Sequence, residues 1–238
     1  MDLTANDGKN LTIEVDGAQY QRIPIKTPVV LAGDKLIPFV VENASPHLAD
    51  GDILFITEKV VAITQGRSFP LEEIRVRPLA AFLSKYVQKT PYGIGLGMPE
   101  TMEMALRECG TPRILLAAAV AAVTKKLGRK GDFYRIAGPK ARGIDGPTSG
   151  TIPPYNKQVV LAPAKPRRVA EEIKAALGGR VDVAVVDIND IGGNILGSTV
   201  DRQAEDRLAR ILADNPLGQG HQSTPLGVIR RASTAGAR

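Results

Sequence analysis

The sequence predicts an α+β protein on three observations. Its 238 residues, 43% of them hydrophobic, suffice for one substantial core or for two intertwined subdomains sharing one. Short apolar runs of strand character are interspersed with longer helical patterns. Three of those patterns open at proline, which is favoured in the first helical turn because its missing amide proton costs nothing there.

Residues 1–18 are polar and unpatterned, and are expected as a flexible arm ahead of a single domain over 19–231, with 232–238 as a flexible tail. The stretch 20–31 has extended character around Pro24 and Pro28. Gly33-Asp34 starts a helix in which Asp34 caps free amides and Pro38 falls early enough to be tolerated. Asp50-Gly51-Asp52 is a turn before a buried strand at 53–56, a second apolar stretch covers 60–63, and Gln65-Gly66-Arg67 closes the segment. Helices are expected at 78–88, 99–109 and 112–127, opening at Pro78, Pro99 and Pro112. The alanine-rich run 114–123 is far short of the roughly 20 residues that span a bilayer, so it reads as a buried helix. Alternate glycines over 93–97 match neither a dinucleotide fingerprint nor a P-loop, and read as a flexible loop. Strands are expected at 133–136 and 159–162. An amphipathic helix over 166–177 carries Val169, Ile173 and Leu177 on one face. The run 181–186 is a buried strand that delivers Asp187 at its carboxyl end. The last helix, 201–214, turns Leu208, Ile211 and Leu212 inward, and a short strand follows at 226–229.

The formal charge is +6, with 31 Lys and Arg against 25 Asp and Glu. Seven of the basic residues fall between Lys125 and Arg142, against Asp132 alone. Such a cluster attracts phosphates or forms a solvated face. Aromatics are only 4% with no Trp, which disfavours nucleic acid, since single-strand binders rely on aromatic platforms. One Cys and two His exclude zinc-finger spacing. Cys109 forms no internal disulfide and reads as a packing residue. The first residues lack the basic region and apolar stretch of a secretory signal, so a cytoplasmic location with no membrane partner is expected.

Three acid or amide positions stand out in glycine-rich loops: Asp145 in Ala-Arg-Gly-Ile-Asp-Gly (141–146), Asp187 in Val-Val-Asp-Ile-Asn-Asp-Ile-Gly-Gly-Asn (185–194), and Gln219 in Leu-Gly-Gln-Gly-His-Gln (217–222). An Asp beside Gly is more often an ordinary turn residue. Magnesium or manganese, however, takes one or two carboxylates and fills its remaining positions with water and substrate phosphate, and three such loops suit that chemistry.

Longer motifs sharpen the reading. Pro28-Val-Val-Leu-Ala-Gly-Asp34, Ala49-Asp-Gly-Asp-Ile-Leu-Phe-Ile-Thr-Glu-Lys-Val-Val61 and Gln65-Gly-Arg67 resemble the opening of the coenzyme F-420 gamma-glutamyl ligases, the F-420-0:L-glutamate ligase family. Asp145, Asp187 and the segment around Gln219 and Pro225 are similar to its later motifs. The resemblance implies a fold of mixed sheets with helices in two interlocked subdomains, and a homodimer. It also implies an enzyme using GTP, or ATP, with Mg2+ or Mn2+ to activate a small-molecule carboxylic acid as an acyl phosphate, which an amino acid then attacks. Asp145, Asp187 and Gln219 would hold metal, with Asp190 or Asn189 replacing a family hydroxyl that Ile188 lacks. Thr57, Lys59, Arg67, Lys140, Arg142, Asn189, Gly218 and Gly220 would face nucleotide or substrate. No catalytic residue is assigned.

The chain departs from the family where Ile63 and Gln65 replace a lysine and a glutamate, and where only 188–199 follows Asp187 in place of several dozen substrate-region residues. The stretch 86–111 has no matched counterpart. These departures point to a divergent member, or to a non-catalytic protein of the same fold that binds a metal-nucleotide or a phosphorylated metabolite.

Overall fold

The computed structural model describes residues 4–87, 94–129, 131–148, 150–190, 192–218 and 220–232. The chain divides into two compact units, one formed by Met1–Gln65 with Pro163–Arg238, the other by Gly66–Ala162. Each has its own core, and the second unit is inserted in the sequence of the first. The break falls within Gln65-Gly66-Arg67, where Gly66 turns the chain with φ +68°, a conformation that costs glycine little.

The strands are β1 (Thr12–Val15), β2 (Ala18–Ile25), β3 (Ile53–Thr57), β4 (Ser68–Pro70), β5 (Gln158–Val160), β6 (Asp182–Asn189), β7 (Gly192–Ser198) and β8 (Leu226–Arg231). The helices are α1 (Leu36–Ala44), α2 (Glu58–Thr64), α3 (Pro78–Ser84), α4 (Pro99–Cys109), α5 (Thr111–Lys126), α6 (Asp132–Ala137), α7 (Pro139–Arg142), α8 (Pro166–Ala176) and α9 (Arg202–Ile211). The α+β class is as expected.

In the first unit six strands form one mixed sheet in the order β1-β2-β8-β3-β6-β7. Only β3 and β6 pair in parallel. Both are buried on two faces, which is why they read as continuous apolar runs rather than alternating ones. Phe55, Ala184, Val186 and Ile229 share one core with Leu208 and Ile211 of α9 and with Leu212. Each fully buried aliphatic of this kind contributes about 1.5–3 kcal/mol. On the opposite face Gly197 pairs with Val185, and a Cβ on Gly197 would lie 2.2 Å from the Arg167 amide at the start of α8. That close approach seats α8 through Val169, Ala170 and Ile173. At the start of α9 the Asp201 side chain accepts from the Ala204 amide at 2.8 Å and caps the helix.

Arg22, in β2, is 1% exposed. Its guanidinium donates to the Ile211 carbonyl at 3.1 Å, to the Asp214 carboxylate, and to the Asn10 carbonyl at 2.7 Å. It thus satisfies a carbonyl at the end of α9, where cations are favoured, and fastens the N-terminal residues to the sheet.

In the second unit, α3 and α4 pack together around a core that includes Leu83, Leu96, Met102, Leu106, Ile114 and Leu161. Glu103 of α4 is 1% exposed and accepts from Nε of both Arg77 and Arg107, at 3.0 and 2.8 Å. Strands β4 and β5 form a separate two-stranded sheet.

Several expectations are corrected. The stretch 1–18, expected as a flexible arm, carries β1 in register with β2, and Val15 is buried. Its order comes from long-range bonds that a polar, unpatterned sequence does not announce. Of the tail, Ala232 pairs with Gln19 at 2.8 Å, and 233–238 lies outside the described residues. The strand expected at 133–136 is helix α6. Phe133, Ile136 and Ala137 recur at helical spacing against the core, and this tertiary packing overrides the β propensity of Phe-Tyr. Asp34 caps no helix; its carboxylate takes the Leu31 amide at 2.7 Å and closes the preceding turn, while α1 begins after Lys35. The alanine-rich run does form α5, but only Ile114 and Ala117 of that helix are buried, because one face of a helix that is apolar all round suffices to pack against the unit. The glycine-rich stretch after Asp187 is not a loop but the antiparallel hairpin of β6 and β7, so Asp187 sits within a strand, opposite Asn194. In 93–97, Gly93 lies outside the described residues, while Leu96 is fully buried.

Candidate functional site

Thr57 ends β3 beside Val186 of the parallel strand β6, and its amide donates to the Pro225 carbonyl at 3.0 Å. Lys59 follows in the first turn of α2 and Asp187 is the next residue of β6. Sequence folds this way locally because the apolar run 53–56 is spent inside the sheet, which leaves the polar residues Thr57 and Lys59 at its carboxyl edge. The structure therefore brings Thr57, Lys59, Asp187 and the Pro225 segment to one end of the sheet.

The same end holds the tip of the β6–β7 hairpin. Asn189 and Asp190 are exposed there. Asp190 pairs with Lys9 at 2.7 Å, and the same ammonium donates to the Asp214 carbonyl at 2.8 Å. Asn215, 1% exposed with φ +49°, donates to the Gly218 carbonyl at 3.0 Å, and its Oδ1 has no hydrogen-bond partner among the described residues. Asn6 donates to the Leu217 carbonyl at 2.9 Å and to the Thr224 hydroxyl at 2.8 Å. The segment leading to Gly218 is thus held by Asn6, Asn215 and Thr224. Gln219 itself lies outside the described residues. A Cβ on Gly218 or Gly220 would meet the Gln222 side chain at 2.9 or 3.0 Å, so both glycines make room for that amide. Sequence reading missed Asn6 and Lys9, for the arm offers neither periodicity nor motif; Asn215 showed no signal beyond its place before a proline.

Asp145, Arg67, Lys140 and Arg142 belong to the second unit. Asp145 exchanges both backbone bonds with Val160, at 2.8 and 2.9 Å. On the other side of β5, Ser68 pairs with the same Val160. Arg67 donates to the Ala162 carbonyl at 2.6 Å and to Glu108 Oε1 at 2.8 Å, where Lys140 also arrives at 3.2 Å. Burial alone raises the Glu108 pKa, but the bonds from Arg67 and Lys140 outweigh it, and the carboxyl is held below its ordinary value. Arg142 is exposed. Cys109 packs beside this core as expected, with its thiol pushed up by burial and by Glu108.

The oxygen donors near the hairpin, carboxylates of Asp187 and Asp190 and amides of Asn189 and Asn215, suit a hard cation rather than zinc or copper. Among the described residues no three His, Cys, Asp or Glu side chains gather as a metal-holding group. The two positions the family departures concern are structural here. Ile63 is 3% exposed in α2, and the Gln65 amide makes two bonds to the Ala164 backbone, at 2.7 and 2.9 Å.

The profile of the F420-0:Gamma-glutamyl ligases matches residues 24–196. It covers Thr57, Lys59, Asp145 and Asp187 and ends before the 217–222 segment. An uncharacterized protein of Methanocaldococcus jannaschii is 36% identical over 78 residues, 31% of this chain and 26% of that protein. The aligned stretch therefore spans about a quarter of the relative's length.

Proposed function

The chain belongs to the F420-0:Gamma-glutamyl ligase family, whose chemistry is of the ligase type, and from that premise we propose a metal- and nucleotide-dependent acid–amine ligase that acts through an acyl phosphate. The observation that supports it is the gathering of Thr57, Lys59 and Asp187 at the carboxyl end of the parallel pair β3 and β6, where sheet-based sites place ligands. Asp187, Asp145 and Gln219 are the proposed ligands of Mg2+ or Mn2+, with Asn189 or Asp190 as a further oxygen donor. Asp190 must release Lys9 to take a cation. When bound, such ions neutralise a triphosphate and stabilise the transferring phosphoryl group.

The chemistry balances in two steps. A carboxylate oxygen of the acid attacks the terminal phosphorus of GTP or ATP, and the bond to the β-phosphate oxygen breaks to release the nucleoside diphosphate. The amine of an amino acid then attacks the acyl carbon, inorganic phosphate leaves with the electron pair, and the amine proton passes to solvent. Lys59, Arg67, Lys140 and Arg142 are proposed to bind and orient the anionic reactants, and Thr57, Gly218 and Gly220 to line the nucleotide. F-420-0 is one candidate acid among others. A homodimer belongs to this reading.

The test is thermal unfolding with GTP or ATP and manganese. At 100 times the dissociation constant the ligand stabilises by about 2.7 kcal/mol, a rise in Tm of roughly 5–10 °C at this size. Asp187→Asn and, separately, Asp145→Asn abolish the metal-dependent rise and leave the unliganded Tm nearly unchanged. A variant that keeps the full response sinks its residue's assignment. Ile63 in the core and Gln65 tied to Ala164 favour a second reading, a non-catalytic binder of metal-nucleotide. Nucleotide turnover with candidate acids and amino acids, read as amide product by mass spectrometry, separates the two.

A further inference from the structure

Within the second unit a cavity of about 330 Å³ is lined by Glu108, Cys109, Arg113, Ala137, Pro139 and Lys140. That volume is at the small end of the range for ligand sites. Arg113 is built into place. Its Nε donates to the Ile136 carbonyl at 2.8 Å, and its guanidinium lies across Gly138, where a Cβ would stand 2.8 Å from Nη2. Gly138 has φ +92°, so both its backbone and its missing side chain serve this approach. Among the described residues Arg113 has no carboxylate partner. Glu108, the one acid of the lining, is already engaged by Arg67 and by Lys140.

Arg113 and Lys140 in the lining, against Glu108, which Arg67 pairs with from outside the lining, leave net positive charge around a small cavity whose remaining wall, Cys109, Ala137 and Pro139, is largely apolar. The geometry points to a binding site for a compact dianion, a phosphate monoester or a small dicarboxylate, gripped by Arg113 and Lys140. Arg113 supplies the planar fork that matches either group with two parallel hydrogen bonds, and Glu108 positions Lys140 rather than touching the ligand. A partly apolar wall strengthens each charge contact relative to open water.

Cys109 is the chain's single cysteine and lines the cavity, so its alkylation reports occupancy in the unaltered protein. Inorganic phosphate and succinate are titrated in turn, without metal or nucleotide, so the result is independent of the ligase reading. Saturable slowing of Cys109 labelling is expected for at least one probe, and which probe acts separates the phosphate source from the dicarboxylate. Arg113→Gln weakens that protection about tenfold. Arg129→Gln, which removes an equal charge from the pair with Asp132, leaves it unchanged. Labelling indifferent to both probes, or equal weakening in the two variants, overturns the site.

Discussion

Glu103 shows how one side chain holds a unit together. Desolvation by burial raises its pKa, yet the hydrogen bonds from Arg77 and Arg107 prevail and the carboxyl is held below its ordinary value of 4.5. A depressed folded-state pKa contributes stability that is fully present above the unfolded value and is lost as pH falls through the folded one. Glu103→Gln is expected to cost about 1–3 kcal/mol at neutral pH, because the amide nitrogen then faces the Arg77 backbone donor. At this chain length that lowers Tm by roughly 2–4 °C for each kcal/mol. The gap between wild type and variant narrows below pH 4.5, and melting curves across pH 3–7 check it; a gap that widens in acid would falsify the assignment. At the same scale Asp187 was legible as a candidate because it ends an apolar run beside a glycine-rich stretch, and Thr57 and Lys59 because the contiguous motif that holds them resembles the family's. Lys9 and Asn6 were not, since their partners lie about 180 to 220 residues away in sequence.

At the scale of elements, the central pair of strands shows what register demands. Phe55 pairs with Gly227, and a Cβ on Gly227 would stand 2.3 Å from the Phe55 ring. The ring fills the missing side chain's place, so Gly227→Ala overpacks the sheet and costs about 1–3 kcal/mol. Chemical denaturation reads it as a lower midpoint at unchanged slope. Paired with Phe55→Leu, which vacates the space, the glycine variant should recover part of the loss; no recovery would show that the contact is not the cause. Helices were the elements best read from sequence, because Pro78, Pro99, Pro112 and Pro166 each stand in a first turn. The β6–β7 hairpin was misread because Gly192 and Gly193 look like loop residues. Gly193 is needed in the strand itself, since a Cβ there would meet Ile188 at 2.4 Å.

For the whole molecule, α5 raises the question of assembly. Leu115, Leu116, Val123 and Leu127 along it and just beyond are 42–73% exposed, a concentration of apolar surface that marks interaction faces. Leu116, Val120, Val123 and Leu127 follow the spacing of a helix-pairing seam. The proposed homodimer gives this face a partner, a second copy of the chain. Light scattering at micromolar concentration should then give twice the monomer mass of 25.3 kDa, and Leu116→Glu with Val123→Glu should return it to the monomer without unfolding it. A wild-type protein of monomer mass would remove the dimer from the reading. Among the described residues no helix is long and apolar enough to cross a membrane.

The sequence by itself determined the α+β class, the places where most helices begin, the two buried strands at 53–56 and 181–186, and the family. These are written in local signals: proline at a first turn, an unbroken apolar run, a motif of contiguous residues. Only the tertiary structure decided where the chain divides into its two units, that the N-terminal residues form a strand pinned by Arg22, and that 133–136 is a helix. It alone placed Arg113 across Gly138. Each of those depends on contacts between residues far apart in the chain, whose energies exceed local propensity and leave no periodic trace in the sequence.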